Sequence, residues 1–361
     1  MGVEPTTRTP SSGVPKLRPN RVNLSDVARA AGVSVASASK VLNGRIGVAP
    51  RTRQLVEEAA EQLGYVAVSE RERPVRTVRE PLIEVVTTSL NSPYAVQLLD
   101  GLMRGAAPHG GSITVRALDT VLDDNPIEWA QRLARTGRIG VIETVSQFSQ
   151  ERADALRRVG LPLVLVDPLD VPPQSYLSVG ATNFAGGKAA TEHLLNLGHT
   201  RIAFIGGSEG SECNLARQHG YLAALSQRNL IRADGHITFG DFSFEEGLRS
   251  ATALLTSAAP PTAVFASSDL VALGTIEAAR TLGLRVPEDL SVVGFDDTFL
   301  AQTSSPRLTS VHQPIAEIGT TAVDTIVRLA RGEAPRANRV ELATHLVVRD
   351  STCPPKARES S

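Results

Sequence analysis

The chain has 361 residues, 42% of them hydrophobic and 21% charged, with a net charge of −1 and a mean hydropathy of −0.04. That length is too great for one ordinary core, and that balance excludes a fibrous or wholly disordered chain. No apolar run approaches the roughly 18 residues of a membrane-spanning helix, and only two cysteines occur, Cys213 and Cys353.

The cysteines form no CxxC or Cys/His cluster, so neither a disulfide framework nor a metal site is expected, and no cofactor. The reducing cytoplasm is the expected compartment. Charge is unevenly spread: residues 1–80 carry 13 Lys and Arg against 8 Asp and Glu, the remainder 24 against 30. A basic head on an acidic body suits a head that approaches phosphate, although a few charges of chance variation would produce the same split.

In chain order, residues 1–20 lack the apolar stretch of a secretory signal and read as a disordered arm. Residues 21–65 carry three short helical patterns. Leu24, Val27, Ala28 and Ala31 lie at helical spacing behind a plausible N-cap, Asn23. Gly32 suits a tight turn, and Ser34 can cap a second helix over 35–42. A third helix over 51–63 presents Leu55, Ala59 and Leu63 as its expected packing face. Helix, glycine turn and helix together make a helix-turn-helix. Small residues on the second helix, Val35, Ala36, Ser37 and Ser39, allow close approach to base edges, with Lys40 able to reach guanine or phosphate.

This segment resembles the DNA-binding head of the lactose/galactose repressor family, through Asp26-Val27-Ala28, Ala31-Gly32-Val33-Ser34 and Ser39-Lys40-Val41-Leu42-Asn43. The resemblance implies base reading by Val35, Ala36 and Lys40, and phosphate contact or positioning by Asn23, Ser34, Ser37 and Asn43. Ala49 departs from the serine that often caps the third helix. The linker, 66–81, departs further: Ser69–Val75 reads SERERPV, where the family often has a minor-groove hinge helix. Pro74 and two glutamates oppose such a helix and its wedge into a base step.

From 82 to 351, β-branched runs alternate with helical stretches. Strands are expected at 82–90, 112–118, 138–145, 161–167, 201–207, 262–269 and 290–297, and helices at 93–106, 151–159, 186–197, 215–226 and 270–282. Alternation of this kind means βαβ units in parallel sheets, and some 270 residues of it mean two doubly wound lobes. The resemblance continues through 181–207, 214–225, 263–297 and 308–319. It implies a periplasmic-binding-protein-like body with a small-molecule effector between its lobes. By analogy lobe one is 82–181 plus 309–337 and lobe two 182–308 plus 338–350, followed by a disordered tail, 352–361.

Polyhydroxylated ligands require acceptors and donors for hydroxyls and an apolar face for the ring. Candidates at strand ends are Asp167, Asp269 and Asp296, with Arg217, Phe242, Ser92 and Tyr94 nearby. The resemblance matches Arg217, Phe242, Asp269 and Asp296 directly, and Ser92, Tyr94 and Asp167 more loosely. Each has a plainer alternative: the two later aspartates as caps, Arg217 in a surface ion pair, Phe242 as core. His193 and His199 read as packing residues, and Thr182 stands where the family frequently has aspartate.

No GxGxxG, GxxxxGK[ST], GxSxG or HExxH motif occurs, so an enzyme is not expected. A homodimer is expected on an operator of double-stranded DNA, switched by a mono- or oligosaccharide and without membrane contact. The rival reading is a solute-binding protein of the same body fold, which would not carry the head.

Overall fold

The computed structural model describes residues 24–42, 48–63, 80–230, 235–335 and 337–356. Asn23, Asn43, the arm and all of the linker but Glu80 and Pro81 lie outside them. The chain divides into two compact units, 1–78 and 79–361.

The first unit holds helices α1 (Leu24–Ala30), α2 (Val35–Leu42) and α3 (Pro50–Gln62). Val27, Ala28, Ala31, Ala38, Val41, Val56, Ala59 and Ala60 form its core. Leu55 and Leu63 are not part of that core: they are 44% and 37% exposed. Helix α3 is turned by about one residue from the expected face, so Val56 replaces Leu55. Ala59 stays in the core as expected, while the 100° step per residue leaves Leu55 and Leu63 on its flanks. Between α1 and α2 the chain turns at Gly32, whose φ of +65° suits a residue without a Cβ.

The second unit contains two six-stranded sheets. The first is built from β1 (Leu82–Thr87), β2 (Ser112–Ala117), β3 (Arg138–Thr144), β4 (Leu163–Val166), β5 (Leu177–Ala181) and β11 (Arg339–Leu342). The second is built from β6 (Ile202–Ile205), β7 (Ile237–Thr238), β8 (Ala263–Ala266), β9 (Ser291–Asp296), β10 (Thr309–His312) and β12 (His345–Val347). Their orders are β11-β5-β4-β3-β1-β2 and β12-β10-β9-β8-β6-β7. Every pairing is parallel except β10 with β12. Both are therefore doubly wound, with a reversal of strand order beside β1 and β6, where such sheets bind ligands.

Helices cover both faces of each sheet. On the first lie α4 (Pro93–Ala106), α5 (Leu118–Leu122), α6 (Pro126–Arg135), α7 (Gln150–Arg158) and α13 (Ile315–Ala330). On the second lie α8 (Asn183–Asn196), α9 (Glu212–Gln227), α10 (Phe244–Leu255) and α11 (Asp269–Thr281), with the short α12 (Phe299–Thr303) after β9. Continuous apolar strands such as LVLV in β4 and AVFA in β8 are wholly buried, as two covered faces require.

The expected lobe boundaries need two corrections. Residues 309–312 belong to lobe two, because β10 pairs with β9. Residues 339–342 belong to lobe one, because β11 pairs with β5. The chain therefore crosses between lobes at Thr182, at Gln313–Pro314 and at Ala343–Thr344. The hydroxyls of Thr182 and Thr344 lie 2.9 Å apart, and Thr344 N–H donates to Thr182 Oγ1 at 2.9 Å. Where the resemblance led one to look for an aspartate, a threonine ties two crossovers together.

The expected disordered tail is corrected as well, over its first five residues. Thr352 reaches His193 Nε2 at 2.9 Å, and the Cys353 carbonyl accepts from Ser291 Oγ at 3.0 Å. His199 is buried against Thr262, Ser291 and the same carbonyl. Both histidines thus fasten the end of the chain to lobe two.

Candidate functional site

Two sites can be built from the residues upward, one in each unit. In the head, Ser34 caps α2: its Oγ accepts from Ser37 N–H at 3.1 Å and lies 2.9 Å from Ser37 Oγ. Ala38 and Val41 turn inward, Ala36 and Lys40 fall on the opposite side, and Val35 lies at the edge between them; all three are exposed. A short, small-residue helix face with one cation at its far end can enter a major groove without steric obstruction.

In the body, the carboxyl ends of both sheets open onto one cavity of about 620 Å3. Ser92, Tyr94, Asp167, Arg217, Phe242, Asp269 and Asp296 all line it. Residues more than 200 positions apart meet because the strands that carry them end at the same level.

Arg217 is at the centre, and buried. Its guanidinium lies over the Phe295 ring at 3.7 Å, and 5.9 Å from the centre of Phe242. Nε donates to Asn183 Oδ1 at 2.8 Å, and one terminal nitrogen donates to the Ser267 carbonyl at 2.6 Å. The same nitrogen is 3.8 Å from Asp296 Oδ1. Arg217 reaches this position because α8 and α9 touch backbone to backbone. A Cβ on Gly187 would stand 2.3 Å from the Arg217 carbonyl oxygen, and one on Gly220 would stand 2.2 Å from that of Phe184. Phe242 is laid flat by another glycine, since a Cβ on Gly207 would strike its ring at 2.3 Å.

The three aspartates behave differently. Asp296 ends β9 with φ +104° and accepts from Gln313 Nε2 at 2.7 Å. Burial pushes its carboxyl well above the ordinary range, opposed by the Arg217 charge and reinforced by Asp269. Asp167 ends β4 with φ +43° and accepts a hydrogen bond from the Tyr94 hydroxyl. Burial raises it, while Tyr94 and Arg217 pull it down. Burial and Asp167 together hold the Tyr94 hydroxyl far above its ordinary value.

Asp269 is directed at the protein rather than at the cavity. It accepts from Thr298 N–H at 2.7 Å, Thr298 Oγ1 at 2.8 Å and Ser310 Oγ at 2.6 Å. Asp269 therefore fastens the start of α11 to the loop after β9 and to β10, whereas the cap of α11 is Ser268. Burial raises its carboxyl to about 6. Ser92 is likewise occupied as the cap of α4, accepting from Ala95 N–H at 3.2 Å. Asp297, beside Asp296, faces elsewhere and pairs with Arg349 at 2.6 Å.

Sequence reasoning missed four contributors: Asn183, Phe295, Ser267 and Gln313. Gln313 is buried on a crossover, and its Oε1 has no hydrogen-bond partner among the described residues. Its only local signal is its place in SVHQPIAEIG, between a strand and a helix. Among the described residues no group of acidic, histidine and cysteine side chains could hold a metal ion. None of the described helices is long and apolar enough to cross a membrane.

A helix-turn-helix head joined to a two-lobed body with a ligand-sized cleft defines a DNA-binding transcription regulator that responds to a small molecule. Comparison with known proteins makes that class more particular. Residues 23–67 match "Bacterial regulatory proteins, lacI family" and residues 191–352 match "Periplasmic binding protein-like domain". The HTH-type transcriptional regulator CelR of Thermobifida fusca is 33% identical over 353 residues, covering 92% of this chain and 99% of that one. The structure of a complex of the regulator CelR with cellobiose covers 92% of this chain at 30% identity and a TM-score of 0.67. That of the lac repressor dimer, bound to operator and the anti-inducer ONPF, covers 92% at 28% identity and a TM-score of 0.66. The chain belongs to the lacI family of bacterial regulatory proteins.

Proposed function

We propose that this regulator is a homodimeric repressor acting in the cytoplasm, with no catalytic step of its own, whose operator affinity is lowered by a mono- or oligosaccharide bound between the lobes. The observation that carries the reading is the convergence of Arg217, Asp296, Asp167, Phe242 and Tyr94, from both lobes, on one 620 Å3 cavity. A guanidinium and carboxylates at strand ends suit vicinal hydroxyls, and a flat phenyl ring suits the apolar face of a pyranose. The complex of CelR with cellobiose supports the same ligand class.

Asp296, Arg217 and Phe242 would hold the sugar, with Asp167 fixed by Tyr94 as a further acceptor. Asp269 and Ser92 would position the helices that frame it. On the DNA side, Val35, Ala36 and Lys40 would read bases, with Ser34 and Ser37 set against phosphate. One head buries too little surface for tight specific binding, so two heads on a near-palindrome are required. Sugar binding closes the cleft, moves one lobe on the three crossovers and changes the order of the heads.

Fluorescence anisotropy with DNA from upstream of the gene, repeated with a sugar panel and across salt concentrations, tests this. Tight sequence-dependent binding weakened by one sugar is the expected result. Equal affinity for a scrambled duplex at physiological salt would leave only nonspecific electrostatics and overturn operator recognition.

A further inference from the structure

We infer that the cleft takes a saccharide without phosphate or carboxylate groups, and rejects the phosphorylated form of the same sugar. The inference rests on the sugar reading of this cleft and narrows it.

Among the described residues the lining carries Asp167, Asp241, Glu245, Asp269 and Asp296 against one cation, Arg217. That cation already has its own partners. Its charge is shared with Asp296, its N–H groups are given to Asn183 and the Ser267 carbonyl, and one face lies on Phe295. An incoming anion would have to displace these contacts to reach it.

Helix N-termini are the other common source of anion affinity, and those of α4, α9, α10 and α11 border this cleft. Three of the four have an N–H taken by their own serine. At α4, Ser92 accepts from Ala95 N–H at 3.2 Å, and the first helical residue is Pro93, which has no N–H. At α10, Ser243 accepts from Glu246 N–H at 3.1 Å, with Glu245 and Glu246 in the first turn. At α11, Ser268 accepts from Val271 N–H at 3.2 Å, and Asp269 is the first residue. Two of these three carry acid in the first turn as well, and α9, which begins after Ser211 without a side-chain cap, has Glu212 as its first residue.

Asp269 is held by Thr298 and Ser310 and Asp241 by Ser243, so the carboxylates left for a ligand are Asp167, Glu245 and Asp296, and they are acceptors. Besides the carboxylates, Gln313 Oε1 is buried and has no partner among the described residues. Hydroxyl groups satisfy acceptors by donating, whereas a phosphate at neutral pH brings further acceptors and a charge of about −2. Each close like-charge pair at an effective dielectric near 20 weakens binding by roughly tenfold or more.

Calorimetric titration of the full chain with glucose, ribose, maltose and cellobiose, each beside its terminal phosphate ester, tests the inference. At least one free sugar should bind, and its phosphate should bind roughly tenfold weaker or worse. The gap should narrow with added salt and in Glu245→Gln. A phosphate ester that binds as tightly as its parent sugar, or a gap indifferent to both salt and Glu245→Gln, would overturn the charge argument and leave the sugar reading standing. Binding of none of these compounds would overturn the sugar reading itself, and this inference with it.

Discussion

Lys40 sits at the exposed end of α2, on the side opposite Ala38 and Val41. Lys40→Ala should weaken operator binding by about 1–3 kcal/mol, the range for a specific base contact, and leave sugar affinity unchanged in calorimetry. Unaltered anisotropy would remove Lys40 from the reading surface. In the cleft, Arg217→Ala or Asp296→Ala should abolish the sugar response while sparing operator binding without sugar. A response preserved in both would move the effector elsewhere.

Asp269 makes a pH prediction of definite sign. Its folded carboxyl is raised from 3.8 to about 6, so the folded body holds this proton more tightly than the unfolded chain does. The stability it contributes is full below 3.8 and is lost as pH rises through about 6. Between about pH 4 and pH 7 the melting temperature of the native chain should therefore fall relative to that of Asp269→Asn. Parallel curves would show that Asp269 does not titrate in this window.

At the scale of elements, the glycine contact between α8 and α9 sets where Arg217 stands. Gly187→Ala would place a methyl 2.3 Å from the Arg217 carbonyl oxygen, so the helices must separate. Overpacking of this kind costs about 1–3 kcal/mol. It should also weaken sugar binding, because Arg217 would leave Asn183 and the Phe295 ring. A melting shift without any loss of sugar affinity would show that α9 can move away while its arginine stays in place. The same contact recurs between α4 and α13, where Gly101 meets Ala316, and between α10 and α11, where Gly247 meets Val271. None of these glycines announces its role in the sequence, since a helical glycine looks the same whether or not a second backbone lies against it.

Across the whole molecule, sugar and operator must act on one another equally. If sugar lowers operator affinity by some factor, typically worth about 1–3 kcal/mol, saturating operator must lower sugar affinity by the same factor. Titrating sugar into the chain with and without operator duplex measures this directly. A sugar affinity that ignores DNA, alongside a DNA affinity that responds to sugar, would point to an artefact in one assay.

Local chemistry sufficed for much of this protein. The period of Leu24, Val27, Ala28 and Ala31, the turn at Gly32 and the cap at Ser34 are short-range effects, and a helix-turn-helix could be read from them. Buried strands such as LVLV and AVFA could be read too, because a strand covered on both faces must be apolar throughout. Asp167, Asp269 and Asp296 stood out because they end strands of doubly wound sheets, and Arg217 and Phe242 through the resemblance; with Ser92 and Tyr94 they all line the cavity. Partner choice was not legible. Thr309–His312 and Arg339–Leu342 are four-residue strands whose lobe depends on which edge they meet, and nothing within four residues encodes that. Of the expected inward face of α3 only Ala59 was right, for a similar reason: Leu55 and Val56 are equally apolar, and only packing against α1 and α2 selects one. Tertiary structure also decided the use of each polar group: Asp296 accepts from Gln313 beside Arg217, whereas Asp269 is held by Thr298 and Ser310. Composition and period fix what a residue can do, but a hydrogen bond between positions 29 or 41 apart exists only once the chain has closed around it.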